Sequence, residues 1–401
     1  MKIRHIGLVT VLLAALVAAS PALAGAKLKI NDTSEIDFGL RLQALFLSDQ
    51  SDIDLDGQLD DVNEFRVRRA RLRVKATIGE HVEVFLQSEA AATAGTGLDM
   101  RLIDGFITLK KNSWAQFVVG LNMAPASRQN LTSSGALMAI DRPGNAYKSL
   151  TWGTRVLRSF SNKTYVGSTG NFATPVAVRD TGGTFFGSGK LGEKANIKYY
   201  AGVYDGNNAP GEDSFRMTGR VQVNLWDAEA GYYNLSTYLG KKKTLAFGVS
   251  LDQQKDAGRV GIGAEPGVII ADYSYYSIDA FLELPFGEGR ALTAEAAYSA
   301  LDFDDNQFLL NSQGNGYYLQ AGYYINKWQP WFELEKWESD RPDKQGNADI
   351  YRLGVTYFIQ GHNANIKFAY ENFSTDVPFV IVGNATEDSA DAFVVGFYTT
   401  Y

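Results

Sequence analysis

Apolar residues alternate with polar or small ones over stretches of ten to fourteen positions, from about residue 35 to the end of the chain. In "IDFGLRLQALF", Ile36, Phe38 and Leu40 share one parity, and Asp37 and Gly39 share the other. Such alternation gives a β-strand two different faces. The stretches are about twice the length of ordinary soluble strands and match the roughly 9 to 11 tilted residues of a transmembrane strand. The pattern predicts an all-β protein that crosses a membrane with strands.

Sixteen strands are predicted in this way, an even number, as a closed antiparallel bacterial barrel requires. Their ranges are 35–47, 64–78, 81–93, 98–111, 113–123, 176–187, 194–205, 214–226, 243–254, 272–285, 290–301, 314–326, 329–339, 348–360, 363–374 and 390–401. Short connections alternate with long ones, and in such barrels the short turns face the periplasm. The connection 227–242 fits poorly, because it is long where a short turn is expected.

The N-terminus predicts export. Lys2 and Arg4 precede an apolar run, and "ALA" at 22–24 resembles a cleavage site for a secretory signal peptide. A retained membrane anchor is the alternative, but the run is shorter than the roughly 18 to 20 residues that a spanning helix needs. We expect residues 1–24 to be a signal peptide, 25–34 a periplasmic lead-in, and 35–401 a barrel in the outer membrane of a Gram-negative-type bacterium.

Composition agrees with this class. The chain has no cysteine, so its fold is expected to be stable without disulfides. Its 40 glycines and 44 Tyr and Phe residues, against 10 prolines, favour strands over disorder. The final strand ends in Tyr401, which resembles the C-terminal aromatic assembly signal of outer-membrane barrels.

The segment "FRVRRARLRVK", residues 65–75, carries six basic side chains although the whole chain has a formal net charge of −7. Alternation places Arg69, Arg71, Arg73 and Lys75 on the lumen face as a basic ladder, because charges at the lipid midplane would cost roughly 2 to 4 kcal/mol each. Arg66 and Arg68 fall on the outward face near the outer rim, unless a bulge turns them inward. A nucleic-acid patch is not expected, since it lacks interleaved aromatics and the protein is exported.

This segment, extended as "FRVRRARLRVKATIGEHVEVFLQSEAA" and followed by "RLIDGFITLKK" and "FVVGLNMAPASRQNLTSSGALMAIDRP", resembles the phosphate-selective porin O and P family. The resemblance is specific across about 65–160 and weaker beyond. It implies a sixteen-stranded barrel, usually a homotrimer, whose third outer loop folds inward as a constriction and whose basic ladder draws anions. In this chain that loop is about 124–175, and its basic residues are Arg128, Arg142, Lys148, Arg155 and Arg158.

On the other strands, the positions predicted to face the lumen include both basic and acidic residues. The basic positions outside the ladder include Lys198, Arg216, Arg220, Arg352 and Lys367, and the acidic positions are Asp104, Asp279, Glu283, Glu295, Glu333, Glu335 and Glu371. Most of the acids fall on predicted strands ten to thirteen, opposite the ladder. Opposed walls create a transverse field and partly cancel anion preference.

Three functions stay open. The first is a water-filled porin in outer-membrane lipid for small ions and hydrophilic solutes, with mild preference for anions. The second is a porin selective for phosphate or polyphosphate. The third is a structural or adhesive barrel without transport. A TonB-type receptor is excluded, because a barrel of about 22 strands with a plug needs more chain.

Two further kinds of site are weighed. In "DIDLDGQLDD", Asp52, Asp54, Asp56 and Asp60 open a calcium-loop pattern, but position twelve is an Asn, so a solvated acidic turn is the alternative. No other cofactor is expected. Catalysis is not expected either, because hydrolytic chemistry usually needs a histidine base. The histidines are His5, in the signal peptide, and His81 and His362, in predicted turns.

Overall fold

The computed structural model describes residues 26–51, 54–92, 98–143, 165–166, 178–206, 211–260, 268–304, 313–344, 346–381 and 386–401. These residues form eighteen β-strands. The strands are β1 (Ala26–Asn31), β2 (Ser34–Ser51), β3 (Asp60–Ile78), β4 (Val82–Ala92), β5 (Leu98–Asn112), β6 (Ala115–Met123), β7 (Tyr165–Val166), β8 (Arg179–Leu191), β9 (Ala195–Tyr204), β10 (Arg216–Trp226), β11 (Thr244–Val260), β12 (Val268–Pro285), β13 (Arg290–Asp302), β14 (Gly314–Ile325), β15 (Trp328–Ser339), β16 (Ala348–Phe358), β17 (Ala364–Ile381) and β18 (Thr386–Thr400). Across these ranges, a helix long and apolar enough to cross a membrane is not found.

Sixteen of the strands close into one antiparallel barrel. Sequence neighbours pair from β2 to β6 and from β8 to β18, β6 pairs with β8, and β18 returns to β2. The remaining two are additions: β1 pairs with the first residues of β2, before the pairing of β2 with β18 begins, and the two residues of β7 pair with β17. The predicted fold class is confirmed, and each predicted strand overlaps a strand of the barrel.

The wall has an apolar outer face and a polar inner face. On β10, Met217 and Val221 are about half exposed on the outside, whereas Arg220 and Gln222 are buried inside. Lipid would cover the apolar face, and the register is fixed because slipping one residue would turn every polar side chain outward. Closure leaves no free barrel edge to aggregate.

A β-bulge at Arg68 changes the predicted faces of the upper half of β3. The pairing with β2 runs from Gln43 with Arg69 directly to Ala44 with Val67, so the register skips Arg68. Beyond the bulge Phe65 and Val67 are exposed on the outer face, and Arg66 and Arg68 take the inner parity. Of the two placements that the sequence left open, the structure has the inward one, because the extra residue of the bulge shifts the alternation by one position.

The poorly fitting connection between β10 and β11 folds into the barrel. We call the end that carries the short turns the turn end, and the opposite end the loop end. The residues 227–243 leave the wall at the turn end, yet Asn234 and Thr237 are fully buried and Glu229 is nearly so. The connection is long because it enters the lumen before it returns to the wall, instead of reversing the chain in a tight turn.

Candidate functional site: a constricted lumen with a basic wall

Two segments enter the lumen from opposite ends and meet. We call residues 124–143 the loop-end segment and residues 227–243 the turn-end segment. The Asn234 N–H donates to the Leu131 carbonyl at 2.8 Å, and the Asn234 carbonyl accepts from the Ser133 N–H at 2.9 Å. The Ser236 N–H donates to the Ala136 carbonyl at 3.1 Å. Because backbone groups pair in sequence, the two segments form one rigid internal structure.

A buried ion pair joins the same segments. Arg128 donates to the two carboxylate oxygens of Glu229 at 2.9 and 2.8 Å, and both side chains are fully buried. The Tyr238 hydroxyl also donates to Glu229 at 2.7 Å. Burial opposes ionisation of this carboxyl, but the charge and hydrogen bonds of Arg128 prevail and lower the pKa of Glu229 to about 2. The pair is therefore ionised at neutral pH.

Wall side chains hold these segments in place. Lys367 on β17 donates to the carbonyls of Leu137 and Ala139 at 2.5 and 2.7 Å. On the other side of the barrel, Lys198 on β9 donates to the Asn234 side chain at 2.8 Å. Both lysines are buried. Their donors satisfy polar groups of the segments, so these two lysines stabilise the constriction.

An open cavity of about 140 Å³ remains between the loop-end segment and the basic wall. Its lining comprises Arg41, Arg71, Arg73, Phe85, Gln87, Asp104, Met123, Thr132, Ser133, Ser134, Arg179 and Tyr233. Four guanidinium groups thus face one carboxylate, that of Asp104, which accepts from Arg179 at 2.8 and 3.2 Å. The excess of guanidinium over carboxylate makes this part of the lumen attractive to anions.

Ser134 organises the arginines of the cavity. Its hydroxyl oxygen accepts from Arg41 at 2.6 Å and from Arg71 at 3.0 Å. Arg71 also donates to Glu89 at 2.8 Å. Within the part of the chain that the structure describes, Arg71 and Arg179 form salt bridges with Glu89 and Asp104, and no salt bridge is found for Arg41 or Arg73.

The predicted ladder lies along one wall, but its members have different surroundings. Arg69 donates to Gln43 at 2.7 Å and to Asp141 at 3.0 Å, above the cavity. Arg73 lies at the cavity and donates to the Tyr401 carbonyl at 3.2 Å. Lys75 lies 3.0 Å from Glu83 nearer the turn end and is half exposed. The ladder therefore runs along the wall of the cavity, with Arg69 on its loop-end side and Lys75 on its turn-end side.

The other predicted basic residues lie elsewhere. Arg216 pairs with Asp252 at 2.6 Å, and Arg220 pairs with Asp279 at 2.9 Å, both buried away from the cavity. Of the loop residues, Arg128 pairs with Glu229, and Arg142 is buried and donates to the Thr132 carbonyl. Lys148, Arg155 and Arg158 lie outside the described residues.

The predicted acidic residues are buried, and all except Glu283 form ion pairs among the described residues. Arg352 contacts Glu333, Glu335 and Glu371, the last at 2.7 Å. Glu295 accepts from Gln129 at 2.6 Å, and Glu283 accepts from Thr293 and from the Gly240 N–H, each at 2.7 Å. The local pairing reduces the charge that these carboxylates present to the pore, and a transverse field stays a prediction.

Sequence reasoning did not place Arg41 and Arg179 in the ladder. The lumen parity of β2 contains Arg41, and Arg179 begins β8, so position on the inner face was the available signal. Their convergence on Ser134 and Asp104 depends on how the loop-end segment folds, which alternation does not encode.

The predicted calcium loop is described in part. The Asp54 carboxylate accepts the Asp56 N–H at 3.3 Å, and the Asp56 carboxylate accepts the Gln58 N–H at 2.8 Å. Asp60 begins β3, and Asp52 lies outside the described residues. Within the described ranges, three or more His, Cys, Asp or Glu side chains are nowhere grouped to hold a metal. Calcium binding stays a prediction.

Comparison with known proteins identifies chains that are similar to this one in sequence or in fold. An uncharacterized protein of Aquifex aeolicus (strain VF5) is 26% identical over 272 residues, which are 63% of this chain and 57% of that protein. The anion-selective porin from Comamonas acidovorans has a TM-score of 0.57 at 13% identity, covering 92% of this chain and 100% of that one. Outer-membrane expressed OmpT of Vibrio cholerae has a TM-score of 0.55 at 14% identity, covering 94% of this chain and 100% of that one.

These structural likenesses establish the fold, and a family model matches part of the sequence. Residues 38–219 match the family model for phosphate-selective porin O and P, which confirms the resemblance seen in the sequence. The chain therefore has the barrel fold of the outer-membrane porins, and its residues 38–219 match the phosphate-selective porin O and P family.

Proposed function

We propose that the protein is an outer-membrane channel through which small ions and hydrophilic solutes diffuse passively, with a mild preference for anions. The observation that carries this proposal is the cavity beside the basic wall, where four guanidinium groups face one carboxylate. Cations of the wall concentrate anions at the constriction, and the water-filled lumen of a sixteen-stranded barrel gives them a path.

Planar-bilayer recordings test this function. The purified protein should give stepwise conductance in KCl, and a KCl gradient should give a reversal potential of anionic sign. Arg41→Gln should shift that potential toward zero, because it removes a guanidinium of the cavity that bonds the neutral Ser134 hydroxyl and forms no salt bridge among the described residues. Arg341→Gln is a matched control, since Arg341 pairs with Asp343 in a loop outside the lumen. Strong cation preference, or an Arg41→Gln channel identical to the wild type, would contradict the proposal.

Strict selectivity for phosphate is the second candidate. The family match favours it, as does the Ser134 hydroxyl held between two guanidinium groups, because such a site offers several donors to one oxyanion. Phosphate titrated into a KCl recording distinguishes the two. Block at low phosphate would favour the selective channel, whereas little block favours the general one. A structural or adhesive barrel would give no conductance steps.

Three associated properties are part of the proposal. The channel assembles as a homotrimer, as the family resemblance implies and as the trimer form of OmpT of Vibrio cholerae does. It acts as a channel and not as an enzyme, since His81 and His362 each bond a backbone carbonyl at 2.9 Å near the turn end. Residues 1–24 are removed on export. Native mass spectrometry and N-terminal sequencing of the purified protein test the assembly and the cleavage.

Weak calcium binding at the first outer loop is a separate proposal, carried by the sequence pattern of Asp52, Asp54, Asp56 and Asp60. Isothermal titration of the refolded barrel with CaCl₂ tests it. Binding heat that disappears in Asp54→Asn supports the site, and the absence of heat overturns it.

A further inference from the structure

The lumen face of β4 and β5 carries an unusual aromatic surface. Phe85 and Phe106 lie directly opposite each other in the register and stack with ring centroids 5.1 Å apart and planes at 26°. Both have inward parity, because Gln87 and Asp104 on the same faces line the cavity. Phe106 is buried, but Phe85 is only half-buried and belongs to the lining of the cavity. An aromatic face is therefore presented to the pore.

Met123 and Tyr233 extend this apolar surface. Tyr233 belongs to the turn-end segment and packs edge-on against Tyr232, with ring centroids 5.1 Å apart. Met123 ends β6 and lies in the same lining. The cavity thus has two unlike sides. Arg41, Arg71, Arg73 and Arg179 supply cationic donors, and Phe85, Met123 and Tyr233 supply apolar contact.

The cationic side and the apolar side of the cavity occupy adjacent inward positions along β3 and β4. Phe85 is opposite Lys75, and the next inward position toward the loop end pairs Gln87 with Arg73. An anion held by Arg73 therefore has the ring of Phe85 beside it. A small inorganic ion would use the guanidinium groups and leave the apolar side in contact with water, whereas a planar organic anion would use both.

We propose that this cavity preferentially binds small aromatic carboxylates, with the carboxylate on the arginines and the ring against Phe85. The inference rests on the proposed channel function and narrows its solute class. A volume of about 140 Å³ is well below the several hundred Å³ of pockets for drug-sized ligands, so a single-ring acid is the appropriate size.

Benzoate and acetate test the inference, because they carry the same charge and differ in the ring. Each potassium salt is titrated into single-channel recordings of the full-length protein in KCl, and the half-blocking concentration is measured. We expect that of benzoate to be at least fivefold below that of acetate. Phe85→Leu should bring the two within twofold. Phe247→Leu, an outward-facing change on β11, should leave the fivefold difference intact.

The wild-type comparison alone decides the inference if the Phe85 variant fails to assemble. Half-blocking concentrations of benzoate and acetate within twofold of each other in the wild type would overturn it, as would a fivefold difference that persists in Phe85→Leu. The KCl reversal potential is measured on the same channels. If it remains anionic while benzoate shows no advantage, the channel proposal stands and only the aromatic site fails. If it is not anionic, the channel proposal itself fails.

Discussion

Arg128 and Glu229 join, through two hydrogen bonds of 2.9 and 2.8 Å, a segment that enters from the loop end to a segment that enters from the turn end. The two residues are 101 positions apart in the chain and fully buried. A buried ion pair is costly to break because the remaining charge loses its compensation. The integrity of the constriction is therefore expected to depend on this pair.

Glu229→Gln should destabilise the barrel by up to about 3 to 5 kcal/mol, because it removes the closer of the two carboxylates beside the buried Arg128 guanidinium and leaves only Glu295, at 3.5 Å, of the ion pairs described for it. It should also increase open-channel current noise as the two segments separate. Thermal unfolding in detergent and single-channel recording measure the two effects. Glu338→Gln is the matched control, since Glu338 forms an exposed pair with Lys336 at 2.9 Å and should change stability little. Equal effects of both variants would contradict a special role for the buried pair.

Lys367→Met should increase the unitary conductance. The lysine donates to the carbonyls of Leu137 and Ala139, and losing these donors leaves buried acceptors unpaired at a cost of about 1 to 3 kcal/mol each. The loop-end segment should then leave its position against β17. Conductance in 1 M KCl measures the change, and Lys336→Met on the exposed side of β15 is the control. A conductance equal to that of the wild type would show that other contacts hold the segment.

Deletion of Arg68 should leave β3 able to assemble, because it removes the extra residue of the bulge. Val67 would then follow Arg69 directly and still pair with Ala44, so Phe65 and Val67 would stay on the outer face. Deletion of Leu72, which lies in the regular part of the strand, should instead prevent assembly, because Arg69 and Arg71 would then point to lipid. Heat-modifiable mobility in gels reports assembly of each variant. Failure of the Arg68 deletion, or normal assembly of the Leu72 deletion, would show that the bulge does not set the faces of β3.

His362 should make stability depend on pH between about 4 and 6.5. It lies in the turn between β16 and β17, where burial lowers its pKa to about 4. The unfolded chain, with a pKa near 6.5, binds the proton more readily, so stability is full above pH 6.5 and falls as the pH drops toward 4, by up to about 3 kcal/mol. Unfolding temperatures at pH 7.5 and 4.5 measure this effect.

His362→Gln provides the comparison for that pH series. The Gln amide is able to donate to the Thr237 carbonyl, as the histidine does at 2.9 Å, but it does not titrate. The difference between the two pH values should therefore shrink in this variant. It should remain in His81→Gln, because His81 is exposed. A pH dependence unchanged by His362→Gln would assign it to other groups.

The strands and their inner faces were predictable because the alternation of apolar and polar residues is local in the sequence. A membrane strand needs it, since one face contacts lipid and the other faces the lumen. Arg71 and Arg73 were placed correctly for that reason. The sequence left open whether Arg66 and Arg68 face outward or a bulge turns them inward, because it fits both phases of the alternation until pairing with β2 selects one. The folding of 227–243 into the lumen was not predictable, because its contacts to Arg128 and Leu131 come from about a hundred residues away. The partners of the acidic lumen residues were not predictable for a similar reason, because they lie on other strands or segments.

The hydrogen bonds between Asn234 and the loop-end segment also bear on the order of assembly. Most wall strands pair with their sequence neighbours and form as successive hairpins, but the two lumen segments touch only when the sheet has curved enough to bring β6 and β10 around a common interior. These contacts would then form late and hold the closed barrel together. Opening the barrel would require both segments to leave the lumen first. This architecture is therefore expected to slow unfolding more than it raises the free energy of unfolding.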